Sequence, residues 1–494
     1  MKNVILKIHP ADNVAVALQP LTKGTELEVD GTSLTADEDI PTGHKIALTD
    51  IAGNQDVIKY GFPIGHACRD IARGQWVNEH NLKTNLSGTL DYVFKPQGSE
   101  QVFRQEGLSF MGYRRKSGGA GIRNELWIIP TVGCVNGICQ RLAGEMRRET
   151  GSEDIIAYTH NFGCSQLNGD HENTRKILRD MVLHPNAGAV LVVGLGCENN
   201  QPDAFEQFCG DYDRERVRFV TIQQIEGDEL EICLPLLREL YALMQQDHRE
   251  PCPLSMLKVG LKCGGSDGFS GITANPLLGV FSDWLVAQGG SVVLTEVPEM
   301  FGAESILMNR CQTEELFKKT VSLINDFKEF YLRHGEPVGE NPSPGNKAGG
   351  ISTLEEKSLG CIQKCGTSMV RSVLDYGEQL HSEGLSLLSA PGNDLVASTA
   401  LAAAGCQIIL FTTGRGTPFG TFVPTLKVSS NSTLFHNKPA WMDFDAGTLV
   451  SGTGMDAVFR SLKELVIATA NGHQVRNEIN GYREMSIFKT GITL

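Results

Sequence analysis

The sequence predicts a multidomain α/β protein whose first domain is small and mostly β. Its 494 residues are enough for two to four domains, at roughly 100–200 residues per domain. Residues 1–95 contain short β-branched or alternating apolar runs between frequent turn residues. From about residue 113, continuous apolar runs end in Gly/Cys turns and alternate with helical stretches, a pattern typical of buried parallel sheets.

The composition is that of a globular protein with an acidic balance. Asp and Glu outnumber Lys and Arg by 58 to 44, which gives a net charge of −14. An acidic chain repels nucleic acid, and no Lys/Arg-rich stripe compensates. The apolar runs are shorter than the roughly 20 residues of a membrane span, and residues 1–10 lack the apolar region of a signal peptide. We therefore expect a cytoplasmic protein without nucleic-acid or membrane partners.

The N-terminal domain, taken as 1–95, is predicted to hold five strands and one helix. The strands cover 4–8, 14–18, 26–29, 45–48 and 57–60, and the helix covers 64–72. Residues 96–112 are polar and have no hydrophobic periodicity, which indicates a linker.

The rest of the chain predicts two α/β domains, 113–250 and 251–494, because a polar segment with two prolines lies near residue 250. Strands are predicted at 126–129, 155–158, 189–193, 257–261, 292–295, 385–388 and 408–411, and helices at 170–183, 314–331 and 456–470. Ligands of parallel sheets bind beyond the carboxyl ends of the strands. Polar and thiol residues at these ends are therefore the candidate site.

Four cysteines follow predicted strands in the same way: Cys134, Cys164, Cys197 and Cys263. The chain has 13 cysteines, no CxxC pair and no signal peptide, which argues against a disulfide framework and a zinc ribbon. Thiols that converge on one site can hold iron or an iron–sulfur cluster. The alternative is that each is a small buried apolar residue.

Histidines and charged groups supply further candidates. His160 and His171 flank the turn at Cys164, and His44 and His80 belong to the β domain; each can carry protons, or serve a structural role. Arg123 follows a glycine-rich turn and Arg415 lies between two glycines, so both suit carboxylate binding. Asp267 and Glu299 offer oxygen ligands to a metal.

Nucleotide-binding loops are not apparent. Gly194-Leu195-Gly196 lacks the third glycine of a dinucleotide fingerprint, and the sequence contains no GxxxxGK[ST] motif. The sequence therefore gives little support to NAD or ATP chemistry.

Along essentially its whole length, the chain resembles the altronate/galactarate dehydratase family of sugar-acid hydro-lyases. The stretches that carry the resemblance are long and chemically unusual. They are Gly43-His44-Lys45, Val57-Ile58-Lys59-Tyr60-Gly61, Arg123-Asn124-Glu125-Leu126-Trp127, Pro130-Thr131-Val132-Gly133-Cys134-Val135-Asn136-Gly137, Gly194-Leu195-Gly196-Cys197-Glu198-Asn199-Asn200-Gln201, Cys263-Gly264-Gly265-Ser266-Asp267-Gly268, Thr295-Glu296-Val297-Pro298-Glu299-Met300-Phe301-Gly302-Ala303-Glu304 and Asn341-Pro342-Ser343-Pro344-Gly345-Asn346-Lys347.

The resemblance implies an N-terminal β-clip (SAF-type) domain, an α/β middle domain that forms a homodimer, and a C-terminal Rossmann-like variant without nucleotide. It implies dehydration of D-altronate to 2-dehydro-3-deoxy-D-gluconate in hexuronate catabolism. It also implies a requirement for Fe²⁺ and reducing conditions.

On this basis a metal chelates the substrate carboxylate and a neighbouring hydroxyl, a base removes the C2 proton, and an acid protonates the leaving C3 hydroxyl. The net charge of −14 requires local Lys or Arg to attract the anionic substrate. The sequence leaves open a mononuclear Fe²⁺ site or a labile iron–sulfur cluster. The expected proton carriers are His160, His171, His44 and His80; the expected substrate ligands are Arg123, Asn124, Asn136, Gln166 and Arg415; and the expected metal ligands are Cys134, Cys164, Cys197, Cys263, Asp267 and Glu299.

Two alternatives remain at the level of sequence. One is the same chemistry on another sugar acid, such as galactarate. The other is a sugar-acid-binding protein without catalysis, which would show ligand-induced stabilisation and no product. An NAD-linked oxidoreductase is a more distant third.

Overall fold

The computed structural model describes residues 4–97, 107–339 and 341–491. The N-terminal domain is built from short antiparallel strands joined by tight turns. They form sheets of order β1-β2-β5-β8, β3-β4 and β6-β7-β9. Their bounds are β1 Ile5–Leu6, β2 Val14–Ala17, β3 Glu26–Val29, β4 Thr32–Thr35, β5 Lys45–Ala47, β6 Asp56–Lys59, β7 Phe62–Ala67, β8 Trp76–Val77 and β9 Leu82–Lys83.

The middle domain contains a four-stranded parallel sheet of order β13-β12-β14-β15, with helices packed on its faces. An antiparallel sheet of order β11-β10-β16 lies at its border with the C-terminal domain. The elements are β10 Ser109–Arg114, β11 Ala120–Gly121, β12 Glu125–Pro130, α1 Asn136–Thr150, β13 Ile155–Ala157, α2 Asn168–Val182, β14 Ala187–Gly194, α3 Pro202–Cys209, β15 Val217–Thr221, α4 Glu229–Met244 and β16 Glu250–Pro253.

The C-terminal domain is built on a seven-stranded parallel sheet of order β19-β20-β18-β17-β21-β22-β23. Most of its strands are buried along their whole length, as expected for a sheet covered on both faces. The elements are β17 Lys258–Cys263, α5 Ala274–Ala287, β18 Ser291–Leu294, α6 Glu304–Met308, α7 Glu314–Arg333, α8 Pro344–Ala348, α9 Leu354–Cys361, β19 Val370–Leu374, β20 Gly384–Leu388, α10 Asp394–Ala403, β21 Ile408–Thr413, β22 Thr425–Ser429, α11 Ser432–Asn437, β23 Phe444–Asp445, α12 Met455–Ala470 and α13 Arg476–Ile479.

The three regions share hydrophobic cores. One buried cluster joins N-terminal residues such as Val57 and Ile64 to C-terminal residues such as Leu261 and Leu277. A second joins the middle domain to the other face of the C-terminal sheet. Because apolar area removed from water supplies most of the stabilisation, the domains are docked by the same force that folds them.

Most predicted strands are present, but the helix predicted over 64–72 is wrong. Residues Phe62–Ala67 form strand β7, which pairs with β6 and β9. Gly65 has φ +132°, and a Cβ there would lie 2.2 Å from the Lys83 carbonyl oxygen. A helix cannot adopt that backbone conformation.

The predicted linker, 96–112, lies partly outside the described residues, which omit 98–106. Its final residues belong to a strand instead, because Ser109–Arg114 pairs with Glu250–Pro253. Among the described residues, every helix is too short or too polar to cross a lipid bilayer.

Candidate active site

The carboxyl edge of the seven-stranded sheet holds a compact group of two thiols and one carboxylate. Cys263 ends β17, Glu299 lies in the 3-10 turn Val297–Met300 after β18, and Cys361 ends α9. The two sulfurs are 3.2 Å apart. Glu299 Oε2 lies 3.3 Å from Cys263 Sγ and 3.0 Å from Cys361 Sγ. All three side chains are buried.

These residues have the donor set of a metal site. Their ligand atoms all lie within 4.8 Å of one another, and no other group of three His, Cys, Asp or Glu residues in the described part of the chain meets that limit. The sulfurs are too far apart for a disulfide, which needs about 2.05 Å. Thiolates favour iron and zinc over magnesium or calcium. The residues therefore fit the iron that the resemblance implies.

Three buried lysines surround this donor group. Lys357 Nζ pairs with Glu299 at 2.7 Å, whereas Lys262 and Lys364 both pair with Glu296. Burial alone would raise the pKa of the Glu299 carboxyl, but the lysines outweigh it and lower the pKa to about 2. Glu299 is thus ionised at neutral pH, which is the form that binds a cation.

Glu296 fastens the strand end that carries Cys263. Its carboxylate accepts the Cys263 backbone N–H at 3.0 Å and the Lys364 ammonium at 3.0 Å. Its backbone is left-handed, with φ +68°, a conformation that costs a non-glycine residue about 1–3 kcal/mol. Such a strained conformation persists only where surrounding contacts hold it in place. Here the left-handed backbone at Glu296 begins the turn that places Glu299 beside the thiols.

The N-terminal domain contributes a buried ion network to the same region. Lys45 and Lys59 both donate to Glu356 of α9, at 2.8 and 2.7 Å. Lys45 also donates to the Gly350 carbonyl and the Ser352 hydroxyl. Burial would raise the pKa of Glu356, yet the two ammonium groups lower it to about 2. The network holds the β domain against the helix that carries Cys361.

One segment, 345–349, is approached by three of the predicted site residues. His44 Nε2 lies 3.3 Å from the Ala348 carbonyl oxygen. A Cβ built on Gly349 would lie 3.1 Å from Asp267 Cβ, and one built on Gly345 would lie 3.7 Å from Arg415 Nε. The structure therefore brings residues from both domains together here.

The chemical state of these three residues differs. His44 is buried, its Nδ1 accepts the Trp76 indole N–H at 3.1 Å, and burial lowers its pKa. Asp267 accepts hydrogen bonds from Ser270, Ser430 and Asn431, so it fastens loops and stands apart from the compact thiol group. Arg415 is exposed, which leaves its guanidinium accessible to an anionic ligand.

The structure divides the four predicted cysteines between two sheets. Cys134, Cys164 and Cys197 follow β12, β13 and β14 of the middle domain, whereas Cys263 follows β17 of the C-terminal domain. Strand order therefore separates the predicted set: three of the cysteines share one sheet edge, and Cys263 lies at the edge of another sheet. Cys361 is its neighbour instead.

Three residues near Cys164 have structural contacts that correct their predicted roles. His160 Nε2 bonds the Pro130 carbonyl at 2.8 Å, its Nδ1 accepts the Phe162 N–H, and burial lowers its pKa to about 4. Asn136 bonds the His160 carbonyl, and Gln166 accepts from Gly163 N–H and the Thr174 hydroxyl. These groups fix the loop and have little capacity left for a substrate or a proton.

Arg123 is an interdomain clamp, which corrects the substrate-binding role predicted for it. All five of its N–H donors are used, on Glu478 at 2.6 and 2.8 Å and on the carbonyls of Ile122, Thr469 and His473. Its neighbour Asn124 is likewise held, by the Met244 carbonyl and Arg115.

The two remaining histidines lie apart from the thiol group. His80 is exposed at the surface of the β domain. His171 lies on α2 of the middle domain, and burial lowers its pKa. Its Nδ1 is buried without a hydrogen-bond partner.

Sequence reasoning missed Cys361, Lys357 and Glu356. All three lie on α9, and Cys361 is 98 residues from its partner Cys263. The signal available was the run Glu355-Glu356-Lys357 before Cys361, which places charge on a helix that is buried throughout. Burial of α9 depends on tertiary packing and is not visible in the sequence.

Comparison with known proteins shows that family models match most of the chain. Three consecutive family models match the chain: the altronate/galactarate dehydratase SAF domain at 3–85, the second domain of D-galactarate dehydratase/altronate hydrolase at 112–245, and the D-galactarate/altronate dehydratase C-terminal domain at 254–493. These are domains of sugar-acid dehydratases.

Curated relatives cover the whole chain. It is 56% identical to altronate dehydratase of Bacillus subtilis, over 100% of both chains, and 54% identical to altronate dehydratase of Escherichia coli, over 99% of both. It is 35% identical to galactarate dehydratase (L-threo-forming) of Escherichia coli, over 90% of this chain and 88% of that one. The chain belongs to the altronate/galactarate dehydratase family.

Proposed function

We propose that this protein is a hydro-lyase that converts D-altronate to 2-dehydro-3-deoxy-D-gluconate and water. The observation that carries the proposal is the identity of 54–56% to two altronate dehydratases over the whole chain. The compact group of Cys263, Glu299 and Cys361 supports it, because a thiol and carboxylate donor set beside basic residues suits metal-assisted chemistry on a sugar acid.

We assign Fe²⁺ to these three residues. When bound, the ion supplies Lewis-acid stabilisation to the negative charge that develops on the substrate carboxylate. Glu299 is already ionised through its lysine partners, and the two thiols lose their protons on binding metal. Lys357, which pairs with Glu299, keeps the carboxylate oriented toward the sulfurs.

The residues around 345–349 carry the remaining roles. Arg415, exposed at the end of β21, binds the substrate carboxylate. The C2 proton is removed beside His44, whose imidazole is neutral because burial lowers its pKa and whose two ring nitrogens bond Ala348 and Trp76 and so position this segment. Loss of that proton and of the C3 hydroxyl, which leaves as water, gives an enol. The enol becomes the 2-keto product by tautomerisation.

The test is formation of 2-keto acid from D-altronate by anaerobically purified protein, with and without added Fe²⁺. We expect iron-dependent product. We expect Glu299→Gln and Cys361→Ser to lose most activity and the Fe²⁺ assigned to these three residues, whereas Cys68→Ser, which changes an exposed thiol of the β domain, keeps both. Full activity and full iron content in both site variants would refute the assignment of the metal.

Galactarate is the second candidate substrate, because galactarate dehydratase is 35% identical to this chain. Turnover compared across a panel of aldonates and aldarates decides between them. Preferential turnover of galactarate would overturn the substrate proposed here and keep the chemistry.

The finer structural expectations are also proposals. We expect the N-terminal domain to be a β-clip and the C-terminal domain a Rossmann-like variant. We also expect a cytoplasmic homodimer that is formed through the middle domain. Light scattering on the purified protein tests the dimer, and a monomeric mass would refute it.

A further inference from the structure

The middle domain presents a second set of thiols that the proposed function does not use. Cys134, Cys164 and Cys197 follow β12, β13 and β14. These strands are neighbours in the order β13-β12-β14, and adjacent strands are about 4.8 Å apart. Because parallel strands end at one edge, the sheet delivers three thiols to the same place.

The three loops are bonded to one another beside the cysteines. Gly133 N–H donates to the Phe162 carbonyl at 2.9 Å, and Asn200 N–H donates to the Gly163 carbonyl at 3.0 Å. The Asn200 amide also donates to the Thr131 carbonyl, and the Ser165 N–H donates to Asn199 Oδ1 at 2.6 Å. Each pair of loops is thus joined directly, so the three loops are held together beside the cysteines.

The backbone on either side of these cysteines is left-handed or closely packed. Cys164 lies between Gly163, with φ +102°, and Ser165, with φ +55°, and Cys197 follows Gly196, with φ +127°. A Cβ on Gly163 would lie 2.1 Å from the Thr131 carbonyl oxygen. A strained non-glycine residue at such a junction is typical of binding sites. The junction also leaves a buried acceptor, Asn200 Oδ1, without a partner.

The three thiols are not close enough together in the structure to share one ion. One ion with metal–sulfur bonds of about 2.3 Å needs its thiols within roughly twice that distance. Among described residues, only the group with Cys263 meets a limit of 4.8 Å. An iron–sulfur cluster binds each thiolate through a different iron, so its ligands stand further apart.

Three thiols, and not four, are available at this edge. The other cysteines among the middle-domain elements are buried in the hydrophobic cores: Cys139, Cys209, Cys233 and Cys252. Cys134 and Cys197 are exposed and Cys164 is half-buried, so the site is accessible for assembly.

We propose that Cys134, Cys164 and Cys197 bind an iron–sulfur cluster of the 4Fe–4S type, with one iron left to a small oxygen ligand instead of a thiolate. This inference goes beyond the proposed function, because it assigns a second iron centre in another domain. Assembly of the oxidised form needs two ferrous ions, two ferric ions and four sulfides, and the three thiols release their protons on binding.

The experiment is anaerobic reconstitution of the full chain with equal amounts of ferrous and ferric iron, sulfide and a thiol, followed by desalting. Iron, acid-labile sulfide, visible absorbance and the EPR spectrum of the reduced protein are then measured. We expect about four sulfides per chain, as in a 4Fe–4S cluster. Cys134→Ser and Cys197→Ala should each lose most of the sulfide, and Cys68→Ser should lose none.

Three outcomes would overturn the proposal: no sulfide in the wild-type chain, full sulfide in both cluster variants, or equal loss of sulfide in Cys361→Ser. Circular dichroism shows whether the variants fold. If they do not fold, the wild-type chain is treated with a thiol alkylating agent before and after reconstitution. We expect alkylation of Cys134 and Cys197 before reconstitution to prevent sulfide uptake, and both thiols to be protected from the agent afterwards. Iron-dependent product with no sulfide would refute the cluster and leave the proposed dehydration intact.

Discussion

At the residue scale, two arginines that look alike in the sequence differ in what surrounds them. Both follow glycine-rich turns, and both were predicted to bind a carboxylate. All five N–H donors of Arg123 bond groups of the protein, two of them on the buried Glu478, whereas Arg415 is exposed beside 345–349. Local sequence predicted the chemistry of the side chain, and tertiary packing decided which arginine is accessible.

Substitution of the two arginines should therefore have opposite effects. Arg123→Ala leaves the buried Glu478 carboxylate with the Val475 N–H and the more distant Arg483, at 3.9 Å. Loss of a buried ion-pair partner costs about 3–5 kcal/mol of the free energy of unfolding. We expect a lower Tm and an unchanged KM at a temperature where the variant is folded. Arg415→Ala should raise KM for D-altronate at least tenfold and leave Tm unchanged. Thermal unfolding and initial rates check both, and a reversed pattern would contradict the assignment.

At the scale of elements, helix α9 links the β domain to the metal site. Its Glu356 binds Lys45 and Lys59 from two different β strands, and its last residue is Cys361. Most of the strands that flank this region could be predicted, because each is a local apolar run. The partners of α9 could not, since they lie about 300 residues away along the chain.

Glu356→Gln should weaken the contact between the β domain and helix α9. The substitution leaves two buried ammonium groups without a counter-charge, which costs about 3–5 kcal/mol. We expect increased hydrogen exchange in 45–59 and a fall in activity, because His44 is next to Lys45. Glu314→Gln, at an exposed ion pair of α7, is the matched control. Equal exchange in the two variants would show that the network does not hold the domains.

At the scale of the whole molecule, buried neutral histidines make stability depend on pH. His184 stacks on Trp127, both of its ring nitrogens bond the backbone, and burial lowers its pKa to about 3. The unfolded chain binds a proton near pH 6.5, while the folded chain does not, so stability is lost as pH falls below 6.5. For this group the loss is about 2 kcal/mol at pH 5.

The measurement is Tm as a function of pH between 7 and 5, for the wild type and His184→Gln. We expect the wild type to lose stability on acidification and the variant to show a shallower slope from a lower starting point. Parallel slopes would show that His184 does not titrate as the structure indicates.

The sequence by itself predicted a β domain followed by two α/β domains, and it determined most of the strands and the positions of four cysteines after strand ends. These properties follow from hydrophobic periodicity and turn residues, which are patterns among residues close together in the sequence. Only the tertiary structure decided that Cys263 pairs with Cys361 and Glu299, that the other three cysteines lie on a separate sheet, and that Arg123 is a clamp. Each depends on contacts between segments far apart in the chain, which form when apolar surfaces are buried together.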